Sequence, residues 1–353
     1  MKEKIMVAMS GGVDSSLTAF LLAEAGYDCI GAHMILTEAG RAAAADAECV
    51  ANSLGIPFYT FDYTREFRES VIDDFIAAYR RGTTPNPCVL CNRVMKFGLL
   101  LDRARKLGCD TIATGHYARV FHDEASGRYL LKKAVDQSKD QSYFLYALSQ
   151  EQLERIRFPL GDLLKSEVRR MAAERHLAAA ERPESQDICF VPDGQYAAFI
   201  EKYAEKDPGT GFRPGNFLDR DGNVLGRHEG IIRYTIGQRK GLGIACGEPM
   251  YVLALNIADN TVTLGPDEAL YSDTLLATDP HLILTDHIDG TMRVKAKIRS
   301  RHPEQDAVVT QPDANTLRVV FDKPQRAVTP GQAVVLYDED LVVGGGMITE
   351  EKI

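Results

Sequence analysis

The segment Ser10-Gly11-Gly12-Val13-Asp14-Ser15-Ser16 constrains this chain more than any other. It follows an apolar run, residues 5–9. It precedes a pattern in which Leu17, Phe20, Leu21 and Ala25 recur at helical spacing before Gly26. Two glycines between a buried strand and a helix let the backbone turn sharply and approach a ligand closely. The first helical amides then point at one spot with the helix dipole behind them, which makes an anion site. Ser10, Ser15 and Ser16 can add hydroxyl donors, and Asp14 suits a magnesium ion beside phosphate oxygens. The plainer alternative is a strand–turn–helix junction capped by Asp14 or Ser15. No Lys-Ser/Thr pair follows the glycines, so the loop is not a Walker A motif.

The residues beyond this loop predict the architecture. Residues 29–34, 57–61 and 111–114 read as strands, and residues 42–54, 96–107 and 167–175 as helices. This alternation predicts an α/β domain with a parallel sheet covered by helices. From about residue 208 glycines become frequent and long helical patterns stop. Short β-type runs occupy residues 251–255, 261–264, 293–298, 307–310, 317–321, 333–337 and 341–343. Asp221-Gly222, Asp259-Asn260, Asp289-Gly290 and Pro330-Gly331 supply turns. The expected organisation is a nucleotide-binding catalytic domain over residues 1–207, a small β-rich linker domain over 208–272 and a β-barrel over 273–353.

No apolar run approaches a membrane span, and residues 5–9 are too short for a signal-peptide core, so a cytoplasmic protein is expected. Seven cysteines, an odd number, argue against a disulfide scaffold. Cys29, Cys49, Cys109 and Cys246 are expected to be inert packing residues. The net charge of −9 does not advertise nucleic-acid binding, so any such contact must come from local patches.

The SGGVDSS string resembles the PP-loop of the ATP pyrophosphatase superfamily, whose members hold the pyrophosphate of ATP and transfer AMP to an oxygen. That resemblance implies ATP and Mg2+ as cofactors. It implies nucleotide contacts from Ala8, Met9, Ser10, Gly11, Gly12, Val13, Asp14, Ser15 and Ser16, with Met34 and Gly115 at later strand ends.

Several further passages resemble the tRNA 2-thiouridylase family. They are residues 84–92 with Cys88 and Cys91, residues 187–190 with Cys189, and Thr114-Gly115-His116-Tyr117. Residues 139–145, 237–243 and Thr329-Pro330-Gly331-Gln332 complete the set, which spans nearly the whole chain. The resemblance implies adenylation of the C2 oxygen of an anticodon wobble uridine and then sulfur transfer. Cys189 would receive sulfur as a persulfide and Cys91 would attack it, with Asp14 in the catalytic set. Thiolates are the active species, so positive charge from Arg80, Arg81, Arg93 and Lys96 is expected to lower the thiol pKa values. The family's best-known bacterial pattern has aspartate where this chain has Cys88. Cys88, Cys91 and Cys189 could therefore ligate a 4Fe-4S cluster, or Cys88 could be a spare thiol beside a persulfide catalyst. Both remain open at this point.

The same resemblance implies tRNA with Lys, Glu or Gln anticodons, and a sulfur donor such as a cysteine desulfurase relay or sulfide. Asn86, Pro87 and Cys88, with Lys139, Asp140 and Gln141, are candidates for the flipped uridine. For residues 139–141 the alternative is a polar turn opening a helix over residues 142–148. His116, Arg299, Ser300 and Gln332 are further tRNA candidates. Arg293, Lys295, Lys297, Arg299 and Arg301 recur every second residue, so a strand would put all five on one face, with no acidic partner in the segment. Two other classes compete: an ATP-dependent amidating ligase, which leaves the cysteines unexplained, and a non-catalytic RNA- or nucleotide-binding module.

Overall fold

The structure, a computed structural model, describes residues 2–175, 177, 188–191, 194–204, 213–244 and 247–350. Cys246, Asp187 and the expected seam at residue 207 lie outside them.

The first sheet is parallel and has five strands in the order β3-β2-β1-β4-β7. They are β1 (Lys4–Ala8), β2 (Asp28–Ile35), β3 (Phe58–Asp62), β4 (Thr111–Ala113) and β7 (Ile156–Arg157). Ile5, Met6 and Val7 are fully buried, as a strand covered on both faces requires. Helix α1 (Val13–Glu24) follows β1 and α2 (Gly40–Ser53) follows β2. The chain winds outward from β1 to β2 and β3, then returns to place β4 on the other side of β1. The crevice between the carboxyl ends of β1 and β4 is thus the topological switch point, where open α/β sheets bind ligands.

A helical arm packs beside that crevice. It runs through α3 (Thr64–Phe67), a π-helical turn (Arg68–Ile72) and α4 (Asp73–Arg80). A second run joins α5 (Pro87–Leu90), a π-helix (Cys91–Leu99) and α6 (Leu100–Lys106). The sequence patterns predict no helix between residues 55 and 95 and so miss α3, α4 and α5. Pro87 instead opens a helix at its first turn, where a missing N–H costs nothing. Helix α7 (Gln150–Glu154) and α8 (Lys165–Glu174) follow, then α9 (Tyr196–Ala204). The helix expected over 142–148 is a single 3-10 turn, Ser142–Phe144.

The middle sheet has the order β10-β11-β8-β9. Its strands are β8 (Gly215–Leu218), β9 (Val224–His228), β10 (Tyr251–Asn256) and β11 (Thr261–Gly265), closed over Phe217, Val252 and Val262. The last six strands are β12 (Tyr271–Leu282), β13 (Met292–Lys297), β14 (Gln305–Asp313), β15 (Thr316–Arg326), β16 (Ala333–Asp338) and β17 (Leu341–Ile348). They close into a barrel because β12 pairs with both β15 and β17. All four expected turns contain a residue at positive φ: Gly222, Asn260, Gly290 and Gly331.

The barrel is fastened to the first domain. The hairpin β5 (Ala118–Asp123) and β6 (Arg128–Lys133) extends the barrel sheet, with Lys132 opposite Leu341 on β17. Ile112, Tyr143 and Leu145 share one apolar cluster with Val335, Tyr337 and Val342. At its edge the buried Lys133 ammonium lies 3.0 Å from both oxygens of Glu304 and 5.0 Å from the centre of the Tyr337 ring. Removing one partner of such a pair strands the other charge away from water. Lys133→Met is expected to destabilise the protein by about 3 kcal/mol in urea unfolding, and Lys133→Met/Glu304→Leu to recover most of it.

Candidate active site

The loop after β1 is built as the sequence suggests. Gly12 caps α1 with no side-chain cap hydrogen bond, and the Ser10 hydroxyl accepts from Gly12 N at 3.4 Å. Ser15 Oγ accepts from Ser10 N at 3.1 Å and lies 3.2 Å from Ser10 Oγ, so the two hydroxyls fold over the turn. Ser16 is fully buried and donates its hydroxyl to Gly12 O at 2.9 Å. It therefore braces the loop and does not face the crevice. Gly11 has φ +78°, and a Cβ there would lie 3.0 Å from Ala43 O.

A turn from the neighbouring strand presses on this loop. A Cβ on Gly115 would come within 2.9 Å of three atoms of Asp14 and Ser15, two of them backbone. Two cavities open from this contact. One, of about 280 Å³, is lined by Ala8, Met9, Ser10, Asp14, Ser15, Met34, Thr114, Gly115 and His116 among others. The other, of about 520 Å³, is lined by Ser10, Gly12, Val13, Asp14, Pro87, Cys88, Cys91, Lys139 and Cys189 among others. Ser10, Asp14, Leu36, Lys96, Gly115 and Gln141 border both. The anion turn and the two distant cysteines thus face one space.

Each cysteine reaches it by a different device. Cys88 and Cys91 sit one helical turn apart at the junction of α5 and the π-helix. Cys189 lies on a turn closed by Val191 N to Ile188 O at 2.9 Å. Phe190, the next residue, is buried against Phe67, Phe75 and Phe199 and so pins that turn to α3, α4 and α9.

The expected thiol electrostatics is corrected here. Burial raises all three thiol pKa values, that of Cys91 to about 11. Lys96 alone among the four expected cations opposes this on all three. Arg93 turns away to Asp279 at 3.4 Å and His281 at 2.7 Å. Arg80 and Arg81 do not line the cavity. Cys88, Cys91 and Cys189 influence one another, yet among the described residues no three His, Cys, Asp or Glu groups gather as a metal site. Of the cysteines expected to pack, Cys29 and Cys109 are buried and Cys49 is exposed.

The residues expected to meet RNA divide. Pro87, Cys88, Lys139 and Gln141 border the thiol cavity. His116 is buried with both ring nitrogens engaged, Nδ1 2.6 Å from Thr114 Oγ1 and Nε2 3.2 Å from Lys96 Nζ. Asp140 holds its own turn, accepting from Ala134 N and from the Ser142 hydroxyl, and burial raises its pKa. Asn86 faces the barrel instead, bonded to Tyr143. Gln332 donates to Thr84 O at 2.8 Å, which ties the barrel to the cysteine segment. The five-cation strand is also corrected. Arg293 pairs with Asp322 on β15, and Arg299 turns inward to Ala327 O, while Lys295 and Arg301 stay exposed and Ser300 half-exposed. Val294, Ala296 and Ile298 are buried on the opposite face, as alternation requires.

Sequence reasoning missed Lys165 and Tyr117. Lys165 Nζ lies 2.7 and 2.8 Å from the Asp14 carboxylate oxygens, and Tyr117 OH donates to the same carboxylate at 2.8 Å. Lys165 opens α8, where the helix dipole disfavours a cation. A lysine at that position was the available signal.

These features define a class: an α/β nucleotide-type enzyme whose anion turn opens onto thiols. Residues 3–193 match the tRNA methyl transferase HUP domain, residues 198–266 the tRNA methyl transferase PRC-barrel domain and residues 272–348 the aminomethyltransferase beta-barrel domain. The chain is 51% identical to the tRNA-specific 2-thiouridylase MnmA of Acetivibrio thermocellus, covering 98% of this chain and 99% of that protein. It is 47% identical to the protein of the same name from Clostridioides difficile, over 99% of this chain and 98% of that one. The chain belongs to the tRNA-specific 2-thiouridylase family.

The geometry predicts two measurements. Gly115→Ala must push the Asp14–Ser15 backbone away, and ATP affinity by calorimetry is expected to fall at least about tenfold, roughly 1.4 kcal/mol. Because the raised pKa leaves Cys91 protonated near neutrality, its alkylation rate in the resting protein is expected to keep rising from pH 7 to pH 10. A plateau near pH 8 would contradict the burial effect.

Proposed function

We propose that this chain is an ATP-dependent tRNA sulfurtransferase that converts the anticodon wobble uridine to 2-thiouridine. One observation carries the reading: the anion turn, Cys91 and Cys189 border a single cavity. Uridine oxygen O2 attacks the α-phosphorus of ATP, the bond to the β-phosphate oxygen breaks, pyrophosphate leaves and N3 gives up its proton. The amides at the start of α1 and the Ser10 and Ser15 hydroxyls receive the phosphate charge. Magnesium would be held by Asp14 with phosphate oxygens, neutralising phosphate charge, once the Lys165 ammonium that now spans both Asp14 oxygens moves aside.

Sulfur delivery then uses both thiols. Cys189, the exposed one, accepts sulfur from a donor as a persulfide. Its terminal sulfur attacks C2, and the C2–O bond breaks as AMP departs. Cys91 attacks the Cys189 sulfur, the sulfur–sulfur bond to the base breaks, and its electron pair stays on the new thiocarbonyl as N3 regains a proton. Alternatively Cys91 attacks first and frees sulfide, which then attacks C2. Either route leaves a Cys91–Cys189 disulfide, which an external dithiol must reduce. The donor is a cysteine desulfurase relay, whose persulfide hands sulfane sulfur to the Cys189 thiolate and leaves as a thiol. Sulfide as donor would instead attack the adenylated C2 directly, expelling AMP with no persulfide or disulfide formed.

Among the described residues no three His, Cys, Asp or Glu side chains gather as a metal site, and the steps above use the two thiols alone. The expected tRNAs carry Lys, Glu and Gln anticodons. Pro87, Cys88, Lys139 and Gln141 meet the flipped base, and Lys295 and Arg301 meet phosphates.

Cys91→Ser and Cys189→Ser are each expected to remove 2-thiouridine from cellular tRNA, read by nucleoside mass spectrometry, while ATP binding persists. Normal thiouridine in either strain would reject the assignment. Anaerobically purified protein is expected to hold far less than one iron cluster per chain, and stoichiometric iron and sulfide lost in Cys88→Ala would replace the persulfide route.

A further inference from the structure

The proposed reaction needs positive charge twice, first on the α-phosphate and then on an attacking sulfur anion. Among the lysines bordering the two cavities, Lys165 is clamped on Asp14. Lys139 borders the thiol cavity alone. Lys96 borders both.

Its placement has a cause in the backbone. On an α-helix, residues five apart point about 140° away from each other. The i→i+5 pattern of a π-helix brings such residues close to one face. Cys91 and Lys96 are five apart within the π-helix Cys91–Leu99. Gln152 on α7 donates to the carbonyls of Arg93 and Phe97 at 2.9 Å each and holds this widened turn.

Its partner is also unusual. Among the described residues the Lys96 ammonium has no carboxylate within ion-pair distance, and its hydrogen-bond partner is His116 Nε2. Nδ1–H then donates to Thr114 Oγ1, which keeps the imidazole neutral and Nε2 an acceptor. A neutral acceptor orients the ammonium without cancelling its charge.

We infer that Lys96 is a catalytic residue of both half-reactions, its ammonium stabilising the phosphate charge during adenylation and the sulfur anion during delivery. His116 is its positioning residue. This rests on the thiouridylase reading above.

The test compares Lys96→Met and Lys96→Arg with the wild-type chain on two rates. One is tRNA-dependent AMP formation at saturating ATP. The other is alkylation of Cys91 by iodoacetamide at pH 8 without ATP or tRNA. Lys96→Met is expected to lower AMP formation about 100-fold and alkylation about tenfold, and Lys96→Arg to restore part of both. If Lys96→Met does not fold, Lys96→Gln, whose amide can still reach His116, takes its place in both assays. A fall in only one rate overturns the shared role, and unchanged rates overturn it entirely. Absence of tRNA-dependent AMP in the wild type instead sinks the reading of the reaction, while the alkylation comparison still reports on Lys96.

Discussion

The contact between the turn after β4 and the loop after β1 leaves no room for a methyl group. Everything else about the site depends on that closeness. It brings the strand end carrying Thr114 and His116 against the anion turn, at the one place where the winding of a parallel sheet opens a crevice. The nucleotide pocket is therefore a product of topology. The sheet order decides where it lies, and a glycine decides that it closes.

The thiol half of the site is assembled from farther away. Cys91 arrives on a helix that departs from α geometry, and Cys189 on a turn held by an aromatic cluster. Raised pKa values make the thiols weak acids, so the resting protein keeps them protonated, which slows their reaction with oxidants and alkylators. Reactivity then depends on what enters the cavity and on Lys96, the lysine that opposes the effect of burial at all three thiols. A buried thiol beside an exposed one, both held as weak acids, suits an enzyme that must avoid spending sulfur without a substrate.

Much of this was legible in the residues. The apolar run before Ser10-Gly11-Gly12 announced a doubly covered strand, and the later alternation of strand and helix patterns announced the parallel sheet. Turn dipeptides marked the β half well, because only a few residue types tolerate positive φ. Strand β12 was missed because Asp279 and Pro280 interrupt its pattern at a shift in register. The helix expected over residues 96–107 is present, but its extension back to Pro87 was missed because prolines and a π-helix break the 3.6-residue period on which such reading relies. Ion pairs across the barrel, such as Arg293 with Asp322 two strands away, depend on a strand order that spacing along the chain cannot reveal. The same is true of Lys165, which meets Asp14 from 151 positions away.

The apolar cluster that joins Ile112 and Tyr143 to Val335, Tyr337 and Val342 spans the junction between the α/β sheet and the barrel. Cut the chain ahead of the barrel and that wall would face water, a sticky surface on an amputated enzyme. The terminal strands are hence part of the masonry around the reaction chamber. Whatever leans on the barrel also leans, through Gln332 and the carbonyl of Thr84, on the segment that carries the first two thiols.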